Sequence, residues 1–196
     1  MRRPREAGRV VLARARGMVT YPAPFQLVAT SKPCPCTAPS ACTCTAPAQR
    51  RYQARLAGLG TRPAISLQLT APGRDACAVG ESSAQAAVRV ARARTIAADR
   101  LRGDGYRVNA DLPLTTLTGR HGLPRRTVAG LTRMVDTGAI GLTGYAGILQ
   151  TAWTIGDLRG TERPDQDAID TAIAFYLPGT AQPVPARPGQ DEPRPA

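Results

Sequence analysis

The feature that most constrains the fold is a change in sequence periodicity near residue 76. Short apolar runs bounded by Gly and Pro come before it, and they are typical of β structure. Longer segments rich in helix formers follow it. We therefore expect an α+β chain with two domains, at residues 1–76 and 77–177, and a disordered tail at 178–196, where Pro, Gly and charged residues are frequent.

Four runs in the first half have strand character. Arg9–Ala15 and Gly17–Pro22 are separated by a short break and predict a hairpin. Phe25–Thr30 is more apolar and is expected to be a central strand. Ala64–Pro72 is expected to be the last strand, because a Pro-Gly pair ends it.

Helices are predicted from apolar residues at helical spacing and from capping signals. One lies in the first half and carries several arginines, and four follow residue 76. Their expected ranges are 48–59, Glu81–Leu101, Leu123–Val135, Thr143–Leu158, and a last helix opened by Pro164 and Asp165.

The chain is strongly basic, with a formal net charge of +12. Lys32 is its single lysine, so nearly all of the positive charge is arginine. Arginine suits phosphate contacts and favours a nucleic-acid partner. A GC-rich coding bias, which replaces Lys with Arg throughout, remains an alternative explanation.

No membrane or secretory segment is predicted. The amino terminus has charge but no apolar run of adequate length. The longest uncharged run, Thr137–Gly156, is interrupted by Gly, Thr and Gln. We therefore expect a cytoplasmic protein.

Four cysteines give the sharpest local signal. Cys34, Cys36, Cys42 and Cys44 form two Cys-x-Cys pairs within eleven positions. Four thiolates this close could hold one tetrahedral Zn²⁺, although Cys-x-Cys is tighter than the common zinc spacing. The alternatives are reduced thiols or a disulfide formed under oxidative stress. Cys77 lies apart and is expected to be an inert small residue.

Several motifs together resemble the YifB/ComM family of AAA+ ATPases, which is related to a magnesium-chelatase subunit. They are YPAPFQLVATSKPCPC, then CTCT and QRRYQARLAG, then GESSAQAAVRVARAR, VNADLP and GYAGILQTAWTIGDLRG. In order and spacing they resemble the family over residues 5–176. The resemblance implies the β-rich end of an AAA+ core, with a hairpin, sheet strands and a Cys-rich loop, followed by a helical lid domain.

The resemblance also implies functions that this sequence lacks or alters. Intact members are ATP-dependent rings that act on DNA in recombination and transformation. Their Walker A loop needs a Gly-Lys-Ser/Thr ending to hold phosphates. Here Lys32 precedes Pro33 outside any such loop, and the only Asp-Glu pair, at 191–192, follows no strand. ATP is thus expected as a cofactor of the intact family alone.

The nucleotide-sensing positions are altered as well. Lys32 stands at the sensor-1 position, where the family usually has Asn. Arg62 aligns with the arginine finger if one residue is deleted. Gly147 and Gln150 occupy the sensor-2 positions, where arginines are expected.

The remaining polar residues have competing interpretations. Arg50, Arg51 and Arg55 could contact DNA phosphates or a neighbouring subunit, and so could a second group at Arg89, Arg92 and Arg94. Both groups could instead be solvated faces. Glu81 is expected at a helix amino terminus. His121 is expected to be a solvated loop residue, and Trp153 and Tyr145 are expected in the core.

The leading hypothesis is a truncated, non-catalytic member of the YifB/ComM family. One alternative is a zinc-stabilised module that binds nucleic acid. Another is an interaction fragment that joins intact AAA+ subunits or forms a homo-oligomer.

Overall fold

The computed structural model describes residues 8–32, 34–36, 42–57, 63–69 and 80–177. By compactness the chain divides into two units, Met1–Arg62 and Pro63–Ala196. The described part of the first unit contains a hairpin and one helix, whereas that of the second is helical. This arrangement confirms the predicted α+β class.

The predicted hairpin is present. Strands β1 (Arg9–Arg14) and β2 (Gly17–Pro22) pair antiparallel, with Arg14 opposite Gly17 and Arg9 opposite Pro22. Gly17 has a φ of 137°, a conformation that suits glycine where the chain reverses. Helix α1 (Ala46–Ala57) follows the cysteine-rich segment, and residues 58 and 59 of its expected range lie outside the described residues.

Two expected strands do not form in the described part of the chain. Residues 25–30 have no assigned secondary structure, and Phe25, Leu27 and Val28 are exposed. Residues 64–69 form no strand either, although the Ser66 backbone N–H donates to the Phe175 carbonyl oxygen at 2.8 Å. Leu69 is 87% exposed, and residues 70–72 lie outside the described residues. A strand is completed by hydrogen bonds to a neighbour. The sheet among the described residues is the β1–β2 hairpin, so neither segment has a strand beside it there.

The second unit contains five α-helices and one 3₁₀ turn in its described part. The 3₁₀ turn (Asn109–Asp111) and the short helix α3 were missed by sequence analysis because both are too short for a periodic signal. The helices are α2 (Ser83–Leu101), α3 (Leu114–Thr118), α4 (Arg125–Asp136), α5 (Leu142–Arg159) and α6 (Gln166–Tyr176).

Side-chain caps set the ends of the long helices. Ser82 and Gln85 form a reciprocal capping box at the start of α2. The Asp165 carboxylate accepts a hydrogen bond of 2.8 Å from the Ala168 backbone N–H at the start of α6. Gly160, with a φ of 70°, ends α5. These local signals explain why the sequence located the helices well.

Helix α5 lies at the centre of the core. It packs against α2, α3, α4 and α6, and Ile148, Leu149, Ala152 and Trp153 are buried on it. Trp153 is therefore a core residue as expected, and Tyr145 is partly buried against the same cluster. Leu101, Leu112, Leu117, Leu131 and Ile169 complete the fully buried aliphatic core.

The expectation that His121 is a solvated loop residue is wrong, because its side chain is buried. Its side chain is only 7% exposed, and its Nε2 lies 2.6 Å from an Asp104 carboxylate oxygen. Its ring also meets the Trp153 ring edge-to-face, with centroids 5.5 Å apart. The sequence suggested a solvated residue because its neighbours are Arg120 and Gly122, but the carboxylate that compensates its burial lies 17 positions away.

None of the helices in the described part of the chain combines the length and apolar character that crossing a membrane requires.

Candidate metal centre

The two Cys-x-Cys pairs lie close in sequence, just before helix α1. Cys34 and Cys36 follow the segment that ends at Lys32, and Cys42 and Cys44 directly precede α1. The Tyr52 hydroxyl donates a hydrogen bond of 2.9 Å to the Lys32 carbonyl oxygen. This contact holds the incoming segment against the helix.

Another side chain of α1 contacts the second cysteine pair, Cys42 and Cys44. Gln49 donates from Nε2 to the Cys44 carbonyl oxygen at 3.3 Å and approaches Cys42 Sγ at 3.7 Å. Sequence analysis did not identify Gln49 or Tyr52. The two residues are three positions apart, so they lie on one face of the helix that follows the cysteines. That spacing could have identified them in the sequence.

The four predicted cysteines come together. All four Sγ atoms lie within 4.8 Å of one another. Cys34 Sγ is 2.9 Å from Cys42 Sγ and 3.5 Å from Cys36 Sγ. Cys34 is buried and the other three side chains are half-buried.

This geometry is close to that of a structural zinc site. Zn–S bonds of about 2.3 Å in a tetrahedron place the sulfurs about 3.8 Å apart. The present cluster needs sulfur movements of only about 1 Å to match that distance. A set of four thiolates favours zinc or another soft metal over Mg²⁺ or Ca²⁺.

The cysteines differ in their acidity. The hydrogen bond from Cys34 lowers the pKa of Cys42 to about 7. The same hydrogen bond raises the pKa of Cys34 to about 12. One thiolate therefore forms readily near neutral pH, and a metal would have to displace the proton of Cys34.

Three arginines stand on the helix that follows the cluster. Arg50, Arg51 and Arg55 are all exposed, and Arg51 and Arg55 lie one turn apart. No carboxylate of the described residues forms an ion pair with any of them. Helix α1 begins two residues after Cys44, so a bound metal would fix the start of this arginine-bearing helix.

One arginine of the second group is paired with a carboxylate that lies just before its own helix. Arg89 forms a bidentate pair with Glu81, which lies before the start of α2, with contacts of 3.1 and 2.5 Å. Arg92 and Arg94 are exposed.

The positions associated with nucleotide sensing have other contacts. The Lys32 side chain is exposed in the first unit, and its carbonyl accepts the hydrogen bond from Tyr52. Gln150, in the second unit, donates to the Ala110 and Leu112 carbonyls at 3.0 and 2.9 Å. Gln150 thus secures the 3₁₀ turn against α5. Arg62 and Cys77 lie outside the described residues.

Comparison with known proteins matches both parts of the chain to related families. The family described as magnesium chelatase, subunit ChlI, matches residues 1–74, and its C-terminal family matches residues 80–176. An uncharacterized protein of Mycobacterium tuberculosis is 36% identical over 184 residues, which cover 91% of this chain and 37% of that protein. A protein of Mycobacterium bovis matches to the same extent.

A named relative is more distant. The competence protein ComM of Haemophilus influenzae is 28% identical over 188 residues, covering 89% of this chain and 35% of that protein. The chain therefore spans little more than a third of the length of these curated relatives.

Proposed function

Because this chain belongs to the magnesium-chelatase-like family of YifB/ComM-type proteins and corresponds to their carboxy-terminal part, we propose that it is a metal-organised, DNA-contacting part of an AAA+ ring subunit. On its own it hydrolyses no ATP. The observation that carries the proposal is the convergence of four cysteine sulfurs next to the arginine-bearing helix α1.

The metal has a structural role in this proposal. The described residues of the first unit, the hairpin included, bury almost no side chains, and Cys34 is the one buried residue among them. Small segments with little core gain stability from bound zinc, because metal binding adds to the free energy of folding. Zinc would hold the loop and orient α1 together.

Metal content tests this role directly. Chain purified under reducing conditions should contain close to one zinc per molecule by elemental analysis. The Cys34→Ser/Cys36→Ser variant should lose it, and a Cys77→Ser control should retain it. Metal content near zero in the parent chain, or unchanged content in the double variant, would contradict the proposal.

The DNA role rests on the exposed arginines of α1. Side chains that neutralise phosphates release counterions, so the logarithm of affinity falls with the logarithm of salt by about 0.9 per phosphate. Replacing Arg50, Arg51 and Arg55 together with Ala should reduce this slope by up to about three. A fluorescent duplex titrated at several salt concentrations measures the slope.

A matched control separates this face from the overall charge. Arg107, Arg125 and Arg126 are also exposed, but they lie in the second unit. Changing them to Ala removes the same charge and should alter the slope less. Equal slopes for the parent chain and the α1 variant would exclude α1 as the DNA contact.

Subunit association is a second candidate function, favoured by exposed apolar side chains in the first unit. Met18 is 76% exposed and Val28 80%. If the α1 arginines serve an interface, their replacement should weaken self-association in sedimentation velocity and leave the salt slope unchanged.

A further inference from the structure

The four cysteine sulfurs differ in their mutual distances and in their exposure. Cys34 Sγ lies 2.9 Å from Cys42 Sγ and 3.5 Å from Cys36 Sγ. Cys34 is only 7% exposed, whereas Cys42 is half-buried. The closer pair therefore combines an enclosed sulfur with one that small solutes can reach.

The Cys34–Cys42 pair is also the one that the chain can join covalently. A disulfide has an S–S distance of about 2.05 Å, so the two sulfurs need to approach by about 1 Å. They are eight positions apart, which leaves room for a loop between them. A bond between Cys34 and Cys36 would instead have to close over a single residue, Pro35, whose ring fixes its φ.

The surroundings of Cys42 favour its reaction with an oxidant. Gln49 Nε2 approaches Cys42 Sγ at 3.7 Å, and helix α1 begins four positions after Cys42. An N–H donor and a helix amino terminus both stabilise negative charge on a nearby sulfur. In a metal-bound cluster the cysteines are thiolates already, so no proton has to leave before Cys42 reacts.

We propose that Cys42 is an oxidation site: a hydroperoxide oxidises its sulfur, Cys34 closes a disulfide with it, and the bound metal leaves. This inference rests on the metal site proposed above and adds how that site is emptied and refilled. Hydrogen peroxide and small organic hydroperoxides are oxidants that convert an accessible thiolate into a sulfenic acid. Reduction of the disulfide by a thiol reverses the change.

The two steps balance in atoms and charge. The Cys42 thiolate attacks the terminal oxygen of the hydroperoxide, the O–O bond breaks, and Cys42 becomes a sulfenic acid while an alkoxide or hydroxide leaves. The Cys34 thiolate then attacks the Cys42 sulfur, an S–S bond forms, and hydroxide leaves. The two sulfurs together lose two electrons, which the two oxygens of the peroxide accept. Protons from solvent convert the leaving groups into water, or into an alcohol and water.

Disulfide formation removes one ligand from each Cys-x-Cys pair. Cys36 and Cys44 remain, and two thiolates are too few for a structural zinc site, which takes four protein ligands. The metal is therefore released. The start of α1, two residues after Cys44, then loses its link through the metal to the first pair.

Zinc release measures the reaction directly. The parent for these experiments is the Cys77→Ser chain, so the four clustered cysteines are its only thiols. After reduction and zinc loading, hydrogen peroxide should release close to one zinc per molecule, which a chelating dye detects. Dithiothreitol followed by fresh zinc should restore the bound metal. Alkylation of the remaining thiols, then reduction and a second label, should place the disulfide at Cys34 and Cys42 by tandem mass spectrometry.

Two matched serine variants separate the role of Cys34 from the loss of a ligand. Cys34→Ser and Cys36→Ser each remove one of the four sulfurs, but only Cys34→Ser removes the thiol that closes the disulfide. Dimedone traps sulfenic acids. In metal-free chain treated with peroxide, it should therefore label Cys42 strongly in the Cys34→Ser variant and weakly in the Cys36→Ser variant. Because both chains are metal-free, this comparison does not depend on zinc content.

The possible failures are distinguishable. A reduced chain that takes up no zinc would contradict the metal site, and with it the release of metal. Zinc retained after peroxide treatment, or a disulfide that does not join Cys34 to Cys42, would overturn the oxidation site and leave the metal site standing. Equal dimedone labelling of Cys42 in the two serine variants would likewise overturn the role of Cys34.

Discussion

At the scale of single residues, the Arg100 side chain links three elements of the helical second unit. It joins α2 to Asp157 on α5 and to Asn109 in the 3₁₀ turn. Asn109 in turn donates to Asp157 at 2.7 Å. Sequence analysis did not single out Arg100, because its partner Asp157 lies 57 positions away.

Removing one member of this pair should be costly. The Arg100 and Asp157 side chains are only 15% and 3% exposed, so Arg100→Gln leaves a buried carboxylate without its cation. Breaking a buried pair in this way costs about 3–5 kcal/mol. Urea unfolding monitored by circular dichroism measures the loss. The exposed pair of Arg102 and Asp99 is the control, and Arg102→Gln should cost under about 1 kcal/mol. Similar losses in the two variants would mean that the Arg100 pair contributes no more than a surface pair.

The cysteines should also differ in reactivity. In metal-free chain, Cys42 should be the first thiol alkylated by iodoacetamide as pH rises, with a midpoint near its pKa of about 7. Cys34→Ala removes the hydrogen bond that most lowers this pKa, so the midpoint should rise toward the ordinary value of 9.0. Mass spectrometry of peptides labelled across a pH series reports each site. An unshifted midpoint in the variant would contradict the assigned cause.

Zinc affinity should depend on pH through the pKa values of these thiols. Thiolates bind zinc, and Cys34, with its raised pKa, must lose a proton to do so. Zinc affinity should therefore increase as pH rises from about 6 to 8, with proton release that calorimetry in two buffers detects. An affinity independent of pH over this interval would argue against thiolate ligation.

At the scale of elements, helices were predictable and strands were less so. The starts of α2 and α6 follow from Ser82 and Asp165, which act on their own first turns. Residues 25–30 and 64–69 have strand composition, but a strand depends on a partner that local sequence does not specify. The gathering of the four cysteines was predictable because the cysteines are close in sequence. The supporting contacts of Gln49 and Tyr52 required the three-dimensional path of the chain.

The packing of α5 against α6 depends on one glycine. A Cβ at Gly144 would lie 2.7 Å from the Tyr176 hydroxyl oxygen and 2.9 Å from its Cζ. Gly144→Ala should therefore destabilise the helical unit by about 1–3 kcal/mol through overpacking. Gly147 lies on the same helix with nothing within 4 Å of its Cβ position. Gly147→Ala should instead stabilise by up to about 1 kcal/mol, because alanine favours the helix. Thermal unfolding of both variants tests the pair, and a change of the same sign in both would refute this account.

At the scale of the whole molecule, the family match alone would suggest ATP hydrolysis, whereas the residues of this chain argue against it. The family match covers both halves, yet the sequence contains no Gly-Lys-Ser/Thr loop, and the Gln150 amide is engaged by backbone carbonyls. Purified chain should therefore release phosphate from ATP no faster than a heat-denatured sample. Turnover that depends on Mg²⁺ and persists through repeated purification would contradict this expectation.

The short separation of Cys34 and Cys42, eight positions, has a consequence for the order of folding. Closing a loop costs entropy that grows with its length, by about 0.6 kcal/mol for each doubling. The cysteine loop, like the hairpin before it, closes over a short stretch of chain. The helical unit, in contrast, joins Arg100 to Asp157 across 57 positions. During synthesis, the cysteine loop should therefore close, and bind the metal that we propose for it, while most of the helical unit is still to be made.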